Sequence, residues 1–349
     1  MRITGVATAF PPNRYSQQEI FQALGKNWAD KLDKPQVLER LHSRVGVDHR
    51  HLALTIPEYD NMLTFGDSNN AWIRVAEQLG EKALCRALHR AGISATELDA
   101  LFFVSVTGMC SPSIDARLVN KMKLSPNIKR IPIFGLGCVA GAAGIARAAD
   151  YVKAYPDHHV ALLSVELCSL TWQRDDLSVA NLISSGLFGD GAAAVIISGK
   201  DKAQHGPRVV ATRSVFYPDT QDVMGWDISE KGFRIVLSQD VPTMVHDHLR
   251  GDVDSFLAEF DLKRSDIATW IMHTGGPKVL EATEQSLELP EGALAPSWKC
   301  LSEVGNLSSA SVLVVLENIY HHQRPAPGTL SVLAAMGPGF CAELVLLVW

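Results

Sequence analysis

A glycine turn between a short apolar run and a helix of small residues constrains the fold of this chain more than any other stretch. The run Ile131–Phe134 leads into the segment GLGCVAGAAG, in which Cys138 marks the start of the helical part. This order predicts a strand, a turn and a helix whose first turns are buried. Unpaired N–H groups and the helix dipole stabilise a thiolate at such a position, so we expect a nucleophilic cysteine with a lowered pKa. The alternative is a space-filling thiol, because free cysteines are often buried.

Length and composition indicate an ordinary folded protein with a large core. The chain has 349 residues, of which 47% are hydrophobic and 20% are charged. This length exceeds one typical domain, so we expect an N-terminal half, residues 1–200, that carries the nucleophilic cysteine, and a C-terminal half, residues 201–349. The net charge of −6 argues against a general nucleic-acid-binding protein, although local basic clusters can still bind an anionic ligand.

The six cysteines are scattered and form neither a CxxC pair nor a Cys/His cluster at zinc spacing. A disulfide scaffold and a metal site are therefore not expected. The N-terminus lacks the features of a signal peptide, and no apolar run reaches the roughly 18 residues of a membrane span. We expect a cytoplasmic protein with reduced thiols and no transmembrane segment.

Apolar runs alternate with amphipathic segments along both halves. Strands are predicted at Ile3–Ala9, His159–Val165 and Ile267–Met272, and helices at Ala71–Ala91 and Val241–Phe260. This alternation favours an α/β fold with a parallel or mixed sheet covered on both faces. The second half repeats the order of the first, which indicates a duplicated α/β arrangement.

Two polar residues of the second half recur in settings like that of Cys138. His273 ends a predicted strand before a Gly-Gly-Pro turn, and Asn306 precedes a helix of small residues in GNLSSAS. Ligand-facing side chains gather at the carboxyl ends of strands in α/β sheets, so the three residues are expected to converge. A histidine can hold a thiolate as an ion pair, and His and Asn N–H groups can together stabilise an oxyanion.

A basic patch lies in the segment QVLERLHSRVGVDHRHLAL. Arg40 and Arg44 are four residues apart, which predicts one helical face, and Arg50 follows near the expected end of that helix. This pattern is equally compatible with a solvated surface and with a binding site for phosphate groups.

Five motifs in order carry a family resemblance. The segments GLGCVAGAAG, LFGDGAAAVI, MHTGGPKVL, GNLSSA and MGPGF resemble those of the type III polyketide synthases, the chalcone-synthase-like branch of the thiolase superfamily. The resemblance implies a thiolase-like αβαβα five-layered fold built from two duplicated halves, and a homodimer. It also implies an acyltransferase that extends an acyl-CoA starter with malonyl-CoA by decarboxylative condensation. No cofactor, metal or acyl carrier protein is expected.

The resemblance gives residues roles at matching positions. It implies that Cys138 holds the growing chain as a thioester, and that His273 and Asn306 stabilise the enolate formed from malonyl-CoA. Arg40 and Arg44 match positions at which the family places basic residues against the phosphates of coenzyme A. Basic residues suit these positions because guanidinium groups make charge-assisted contacts with phosphate.

The same resemblance predicts the neck and wall of the substrate pocket. Phe188 matches one of two gatekeeper phenylalanines, whereas the second gatekeeper position is the aliphatic Ile235. The remaining predicted wall positions are Val106, Thr107, Cys168, Thr171, Trp226 and Ser308. Small or aliphatic residues at several of these positions predict a less restrictive pocket than that of the plant enzymes.

The predicted reaction is the synthesis of an alkylpyrone or alkylresorcinol from a fatty acyl-CoA starter. One alternative is a ketoacyl synthase that primes fatty-acid synthesis and takes malonyl groups from a carrier protein. Another alternative is a non-catalytic acyl-CoA-binding protein. The intact Cys, His and Asn set argues against the second alternative, and GNLSSAS and LFGDG favour the polyketide synthase over the first.

Overall fold

Strands and helices alternate through the first half of the chain. The computed structural model describes residues 1–28, 31 and 35–349. The strands of this half are β1 (Arg2–Ala9), β2 (Asn13–Ser16), β3 (His49–Leu52), β4 (Ala100–Val104), β5 (Lys129–Ile133), β6 (His159–Leu167) and β7 (Asp190–Ser198). The helices are α1 (Gln17–Trp28), α2 (Pro35–His42), α3 (Phe65–Ala91), α4 (Ile114–Lys121), α5 (Ala140–Ala154) and α6 (Val179–Leu187).

The second half alternates less regularly, because three of its helices follow one another between two strands. Its strands are β8 (Arg208–Phe216), β9 (Met224–Ser229), β10 (Gly232–Leu237), β11 (Ile267–Met272), β12 (Leu330–Gly337) and β13 (Cys341–Val348). Its helices are α7 (Val241–Ala258), α8 (Pro277–Leu287), α9 (Ala295–Val304) and α10 (Ser311–His322). The boundary that we predict at residue 200 stays a prediction.

Nine strands form one mixed sheet with a weak junction at its middle. The strand order is β11-β12-β13-β8-β1-β7-β6-β4-β5. The two halves of the sheet meet where β1 pairs with β8, and this pairing consists of the single residue pair Arg2 and Arg208. The parallel pairs β4/β6 and β11/β12 occupy matching places in the two halves. This correspondence is the duplication that the sequence predicts.

Three hydrophobic clusters divide the molecule into five layers. One cluster packs α5 and α10 between the two halves of the sheet. A second cluster packs α3 and α4 against the outer face of the first half, and a third packs α7, α8 and α9 against the outer face of the second. The order of layers is therefore αβαβα, as the resemblance implies. The helices of the middle layer are covered on both sides, which is why Ala140–Ile145 is entirely buried.

Capping boxes fix where two of the helices begin. At α1 a capping box forms, in which the Ser16 N–H donates to the Glu19 carboxylate at 2.8 Å. Helix α3 begins six residues before the predicted Ala71, because the Thr64 N–H donates to the Asp67 carboxylate at 2.9 Å and starts the helix there. Among the described residues, no helix has both the length and the apolar character needed to cross a membrane.

The predicted basic face does not form as expected. Helix α2 ends at His42, so Arg44 lies in the turn beyond the helix and does not share a helical face with Arg40. Arg50 lies in β3, where its guanidinium is buried and donates to the carbonyls of Ser185 and Phe188 at 2.8 and 2.7 Å. The prediction that Arg50 belongs to a basic surface is therefore wrong, because its charge is used to hold the end of α6.

A glycine in α5 sets the distance between the two central helices. A Cβ atom at Gly141 would lie 2.3 Å from the Ser309 carbonyl oxygen and 2.7 Å from Val312 Cγ1. We predict that Gly141→Ala lowers the free energy of unfolding by about 1–3 kcal/mol, because the helices must move apart. The matched control is Gly25→Ala in α1, where a Cβ meets nothing within 4 Å and a gain of about 0.4–1 kcal/mol is expected. Equilibrium urea unfolding measures both; equal effects of the two substitutions would contradict the close approach.

Candidate active site

Cys138 lies where β5 passes into α5. It occupies a short 3-10 turn, Gly137–Val139, and α5 begins at Ala140. Gly137 has a φ of +55°, and a Cβ there would lie 2.6 Å from the ring of Pro338, so only glycine fits this turn. The Cys138 side chain is buried, and its Sγ lies 3.6 Å from the Ser308 hydroxyl.

His273 follows the last residue of β11. Its backbone N–H donates to the Ala334 carbonyl of β12 at 3.0 Å, which extends the parallel pairing by one residue and fixes the direction of the side chain. Nδ1 is buried and has no hydrogen-bond partner among the described residues. Burial lowers the pKa of His273 to about 4, so the imidazole is neutral at physiological pH.

Asn306 is held beside Phe188 by a short bridge of parallel backbone. Its N–H donates to the Leu187 carbonyl at 3.0 Å, and its carbonyl accepts from the Gly189 N–H at 2.9 Å. The side-chain oxygen accepts from the Ser308 N–H at 2.8 Å. A backbone N–H can only donate, so this contact fixes Oδ1 and leaves Nδ2 with two hydrogens to offer.

Cys138, His273 and Asn306 line one cavity of about 290 Å³, which we call the reaction cavity. Phe188 and Arg44 line the same cavity. The predicted convergence of the three residues is therefore what the structure shows. The three residues are far apart in the sequence but close in space, because the ends of β5 and β11 and the loop before α10 face the same cavity.

A smaller cavity lies on the other side of Phe188. This side chamber has a volume of about 90 Å³, and five residues of the predicted pocket line it: Cys168, Thr171, Phe188, Trp226 and Ile235. Phe188 lines both cavities. It therefore separates the reaction cavity from the side chamber.

The other predicted site residues lie elsewhere. Thr107 lines a third cavity of about 500 Å³ at the surface, which also includes Trp172 and Phe233. Val106, Ser308 and Arg40 line none of these three cavities. No group of three or more His, Cys, Asp or Glu side chains that could hold a metal occurs within the part of the chain that the structure describes.

Two family models together match almost the whole chain. The model for the N-terminal domain of chalcone and stilbene synthases matches residues 2–201, and the model for the C-terminal domain matches residues 208–348. The chain belongs to the chalcone and stilbene synthase family. This membership confirms the resemblance read from the five motifs, and it favours the polyketide synthase over the fatty-acid priming enzyme.

Relatives of this type III polyketide synthase include enzymes with named products. The chain is 51% identical to 1,3,6,8-tetrahydroxynaphthalene synthase of Streptomyces peucetius subsp. caesius, over 99% of this chain and 93% of that protein. It is 32% identical to phloroglucinol synthase of Pseudomonas fluorescens, over 97% of each. The crystal structure of tetrahydroxynaphthalene synthase from Streptomyces coelicolor has a TM-score of 0.95, 32% identity, and coverage of 100% of this chain and 99% of that one. The thiolase-like fold is thereby confirmed.

Burial opposes ionisation of the catalytic thiol in this polyketide synthase. Burial raises the pKa of Cys138 to about 12, and the nearby Glu166 carboxyl raises it further, whereas the Ser308 hydroxyl lowers it. The predicted lowering of the pKa is therefore wrong. Cys138 precedes α5 in a 3-10 turn, and removing a thiolate from water outweighs the helix dipole. Burial lowers the pKa of His273 as well, which favours the neutral form of that ring.

Glu166 is a buried carboxyl beside the site whose role was not predicted from the sequence. Its carboxylate is fully buried at the end of β6 and accepts from the Val106 N–H at 3.1 Å, from the Thr107 hydroxyl at 2.9 Å and from the Ser309 hydroxyl. Burial raises the pKa of Glu166 to about 7. Glu166 thus ties the loop after β4 to the loop that carries Asn306. The sequence signal for this role is an acidic residue directly after the predicted strand His159–Val165.

The hairpin formed by β9 and β10, which was not predicted from the sequence, covers both cavities. Met224 and Leu237 face each other across the hairpin and line the reaction cavity, whereas the next pair on that face, Trp226 and Ile235, lines the side chamber. The Gln173 side chain secures the hairpin by donating to the Lys231 and Phe233 carbonyls at 3.1 and 3.2 Å. Alternation along MGWDIS and GFRIVL was the available signal.

The pKa of Cys138 gives a testable pH dependence. Because only the thiolate is alkylated and the pKa lies near 12, we predict that iodoacetamide labels Cys138 about ten times faster for each unit of pH between 7 and 9. Mass spectrometry of the tryptic peptide measures the rate, and the exposed Cys85 in the same digest controls for reagent quality. A rate that is already constant above pH 7 would show a thiolate stabilised by His273 instead.

Proposed function

We propose that this synthase builds a polyketide on Cys138 from malonyl-CoA by repeated decarboxylative condensation. The observation that carries the proposal is the presence of a thiol, a neutral imidazole and an oriented carboxamide in one buried cavity. In this proposal the chemistry needs no metal and no cofactor, and both starter and extender arrive as coenzyme A esters. The cytoplasmic location stays a prediction.

The first step is transfer of the starter to Cys138. The sulfur attacks the thioester carbonyl, the carbon–sulfur bond to coenzyme A breaks, and the thiol proton leaves with the coenzyme A sulfur. The Asn306 Nδ2 group, whose oxygen is already engaged by the Ser308 N–H, is free to donate to the oxyanion. A neutral His273 adds a second donor through its ring N–H.

The second step uses the same two donors for the extender. Malonyl-CoA loses carbon dioxide, and the electron pair of the broken bond forms an enolate whose oxygen faces His273 and Asn306. The enolate carbon attacks the thioester on Cys138, a carbon–carbon bond forms, and the Cys138 sulfur leaves. Neutral donors suit this sequence, because a low-dielectric site stabilises a developing oxyanion without the reorganisation of water.

Cations at the cavity mouth support the binding of coenzyme A. Arg44 and Lys278 line the reaction cavity, and Arg40 lies exposed four residues before Arg44. None of the three forms an ion pair within the described part of the chain. We assign Arg40 and Arg44 to the phosphates of coenzyme A, because guanidinium groups without a carboxylate partner are available for phosphate.

Malonyl-CoA is the proposed starter as well as the extender, and a polyhydroxylated naphthalene is the proposed product. The support is the 51% identity with a tetrahydroxynaphthalene synthase over nearly the whole chain. The small size of the side chamber also supports a small starter such as malonyl-CoA. The indole of Trp226 lies opposite Ile235 and leaves only about 90 Å³ beyond Phe188. In this proposal Cys168 and Thr171 bound the space for the polyketide chain, and Val106, Thr107 and Ser308 support that wall from behind.

A fatty acyl starter that leads to an alkylpyrone or alkylresorcinol is the second candidate. The specific observation in its favour is that aliphatic side chains dominate the reaction cavity outside the catalytic residues and the mouth. A hydrocarbon chain gains about 0.8 kcal/mol for each methylene buried against such a surface.

The first test is an assay with coenzyme A esters alone. Purified synthase is incubated with malonyl-CoA, with and without a panel of acyl-CoAs, and products are identified by mass spectrometry. A naphthalene from malonyl-CoA alone supports the first candidate, and alkylated pyrones or resorcinols only with acyl-CoA support the second. Activity that requires malonyl groups on a carrier protein, or no release of carbon dioxide, would contradict both.

The oxyanion donors are tested by a matched pair of carboxamide variants. We predict that Asn306→Ala lowers kcat by about 10²–10³-fold, because one donor to the oxyanion is lost. Asn318→Ala removes the same group from α10 away from all three cavities and should leave kcat within about twofold. Cys138→Ala should stop chain extension while some decarboxylation of malonyl-CoA remains. Equal effects of the two asparagine variants would contradict the assigned role.

We further propose that the synthase is a homodimer. An exposed apolar patch surrounds Phe233: the Phe134 ring lies 6.4 Å from its ring, Ile228 faces it across the hairpin, and Leu63 is 76% exposed beside it. The patch adjoins β5, which lies at the end of the sheet and pairs on its outer edge with no strand among the described residues. A second copy covers both features at once, because a free edge strand and an apolar patch favour association.

Light scattering after gel filtration tests the dimer. We predict twice the monomer mass for the wild type and the monomer mass for Phe134→Lys, which places a charge in the patch. Phe216→Lys is the matched control, since Phe216 is 62% exposed on β8, away from the patch, and its replacement should leave the dimer intact. A monomeric wild type would contradict the proposal.

A further inference from the structure

Three residues that line the side chamber each have a buried polar atom without a hydrogen-bond partner among the described residues. The atoms are Arg50 Nε, Trp172 Nε1 and Ser184 Oγ. The two nitrogens each carry one hydrogen and can only donate. Buried polar groups in folded proteins almost always have partners, so three exceptions around one small cavity need an explanation. Donors of this kind fit a ligand that brings acceptor oxygens.

Other polar side chains of the same wall are engaged within the protein. The Asn181 amide donates to the Gln173 carbonyl at 2.9 Å, and the Ser185 hydroxyl donates to the Leu182 carbonyl at 2.8 Å. Unpartnered atoms are therefore not a general property of this wall. They belong to a particular subset of its side chains.

The Arg50 guanidinium is held rigidly by its other nitrogens. The residue is 2% exposed, and Nη1 donates to the Ser185 and Phe188 carbonyls at 2.8 and 2.7 Å. Nη2 donates to Gln17 Oε1 at 3.0 Å. Because the guanidinium is planar, these three hydrogen bonds also fix the direction of the Nε–H bond. The structural role of Nη1 and Nη2 leaves this one hydrogen for another partner.

The charge of Arg50 is already offset by one buried carboxylate. Burial lowers the pKa of Arg50 to about 10 and the Asp190 carboxylate raises it, so the guanidinium is charged at physiological pH. Asp190 accepts from the Ala53 and Ser169 N–H groups at 2.5 and 2.8 Å, which hold it in place. A second carboxylate nearby would be repelled by the first. A neutral acceptor oxygen suits this region better than an anion.

The size of the side chamber restricts the ligand further. Its volume of about 90 Å³ equals the space of about three water molecules in the liquid. Trp226 and Ile235 add apolar surface to the same wall. A terminal acetyl group, with two carbons and one ketone oxygen, matches this combination of small volume, apolar surface and N–H donors.

We propose that Arg50, Trp172 and Ser184 bind a ketone oxygen near the free end of the acyl group carried on Cys138. The side chamber then selects acyl groups with a ketone at that end, because a hydrocarbon end would leave the three polar atoms unpaired. The inference rests on the proposed function for the position of the thioester. It adds the site that holds the far end of the chain beyond Phe188.

Matched acyl-CoA esters provide the first measurement. Calorimetric titration of the Cys138→Ala protein compares acetoacetyl-CoA with butanoyl-CoA, and 5-oxohexanoyl-CoA with hexanoyl-CoA. The members of each pair differ only by a ketone in place of a methylene. We expect the oxo ester to bind at least tenfold more tightly in at least one pair. A ratio near one in both pairs overturns the proposal and indicates that bound water alone satisfies the three polar atoms.

Glutaryl-CoA tests whether the site prefers an anion. It has a carboxylate oxygen where 5-oxohexanoyl-CoA has its terminal methyl group, so the two esters have nearly the same shape. We expect glutaryl-CoA to bind more weakly than the oxo ester, because Asp190 repels the carboxylate. Tighter binding of glutaryl-CoA would overturn the assignment to a ketone.

Serine and tryptophan variants, made in the Cys138→Ala protein, locate the oxygen. We expect Ser184→Ala and Trp172→Phe each to lower the oxo-to-alkyl binding ratio at least threefold, since each removes one hydrogen-bonding group. Ser185→Ala is the matched control: it lines the same chamber, but its hydroxyl is used by the Leu182 carbonyl, so the ratio should stay within twofold. Both esters of a pair are measured on one protein, so a general loss of folding cancels from the ratio. Arg50 is left unchanged because its substitution also releases the end of α6.

The reaction cavity is the rival location for the ketone oxygen. A ratio that falls in Asn306→Ala, again in the Cys138→Ala protein, and stays constant in Ser184→Ala would place the oxygen there and overturn the proposal. Turnover of malonyl-CoA by the wild type is measured separately and reports on the proposed function. A ratio near one with normal turnover overturns only the side-chamber site, whereas a high ratio without turnover supports the site and contradicts the proposed function.

Discussion

The close approach of α5 and α10 in the buried middle layer is the constraint on which the site depends. Gly141 has no side chain, and its Cα faces the Ser309 carbonyl at a distance that excludes a Cβ. This contact brings the turn that carries Cys138 within 3.6 Å of the Ser308 hydroxyl, next to the loop of Asn306. Helices with larger residues would stand farther apart, and the sulfur and the carboxamide would no longer share a cavity.

The burial that this packing produces also sets the charge state of the site. A thiol with a pKa near 12 and an imidazole with a pKa near 4 are both neutral at physiological pH. Their burial favours neutral hydrogen-bond donors for a transient oxyanion over a permanent ion pair. The charged groups of the neighbourhood serve structure instead, since Arg50 holds the end of α6 and Glu166 joins two loops.

The β9–β10 hairpin and Phe188 decide how the interior is divided. Phe188 lines both the reaction cavity and the side chamber, and the hairpin covers both with successive pairs of side chains. Gln173 holds the hairpin through two backbone carbonyls, so the shape of both spaces depends on contacts outside the catalytic residues. The shape and polarity of the two cavities therefore select the starter and the chain length. The condensation chemistry is the same for every starter.

The sequence by itself determined the alternation of strands and helices, the duplicated order, the placement of Cys138 and His273 after strands, and the placement of Asn306 before a helix, because these depend on local periodicity and turn chemistry. Tertiary structure alone decided the pKa of the thiol, the burial of Arg50 and the end of α2 before Arg44. It also decided which predicted wall residues share a cavity. These properties depend on desolvation and on contacts between residues more than a hundred positions apart. The pattern of residues within one segment determines neither the desolvation nor these contacts.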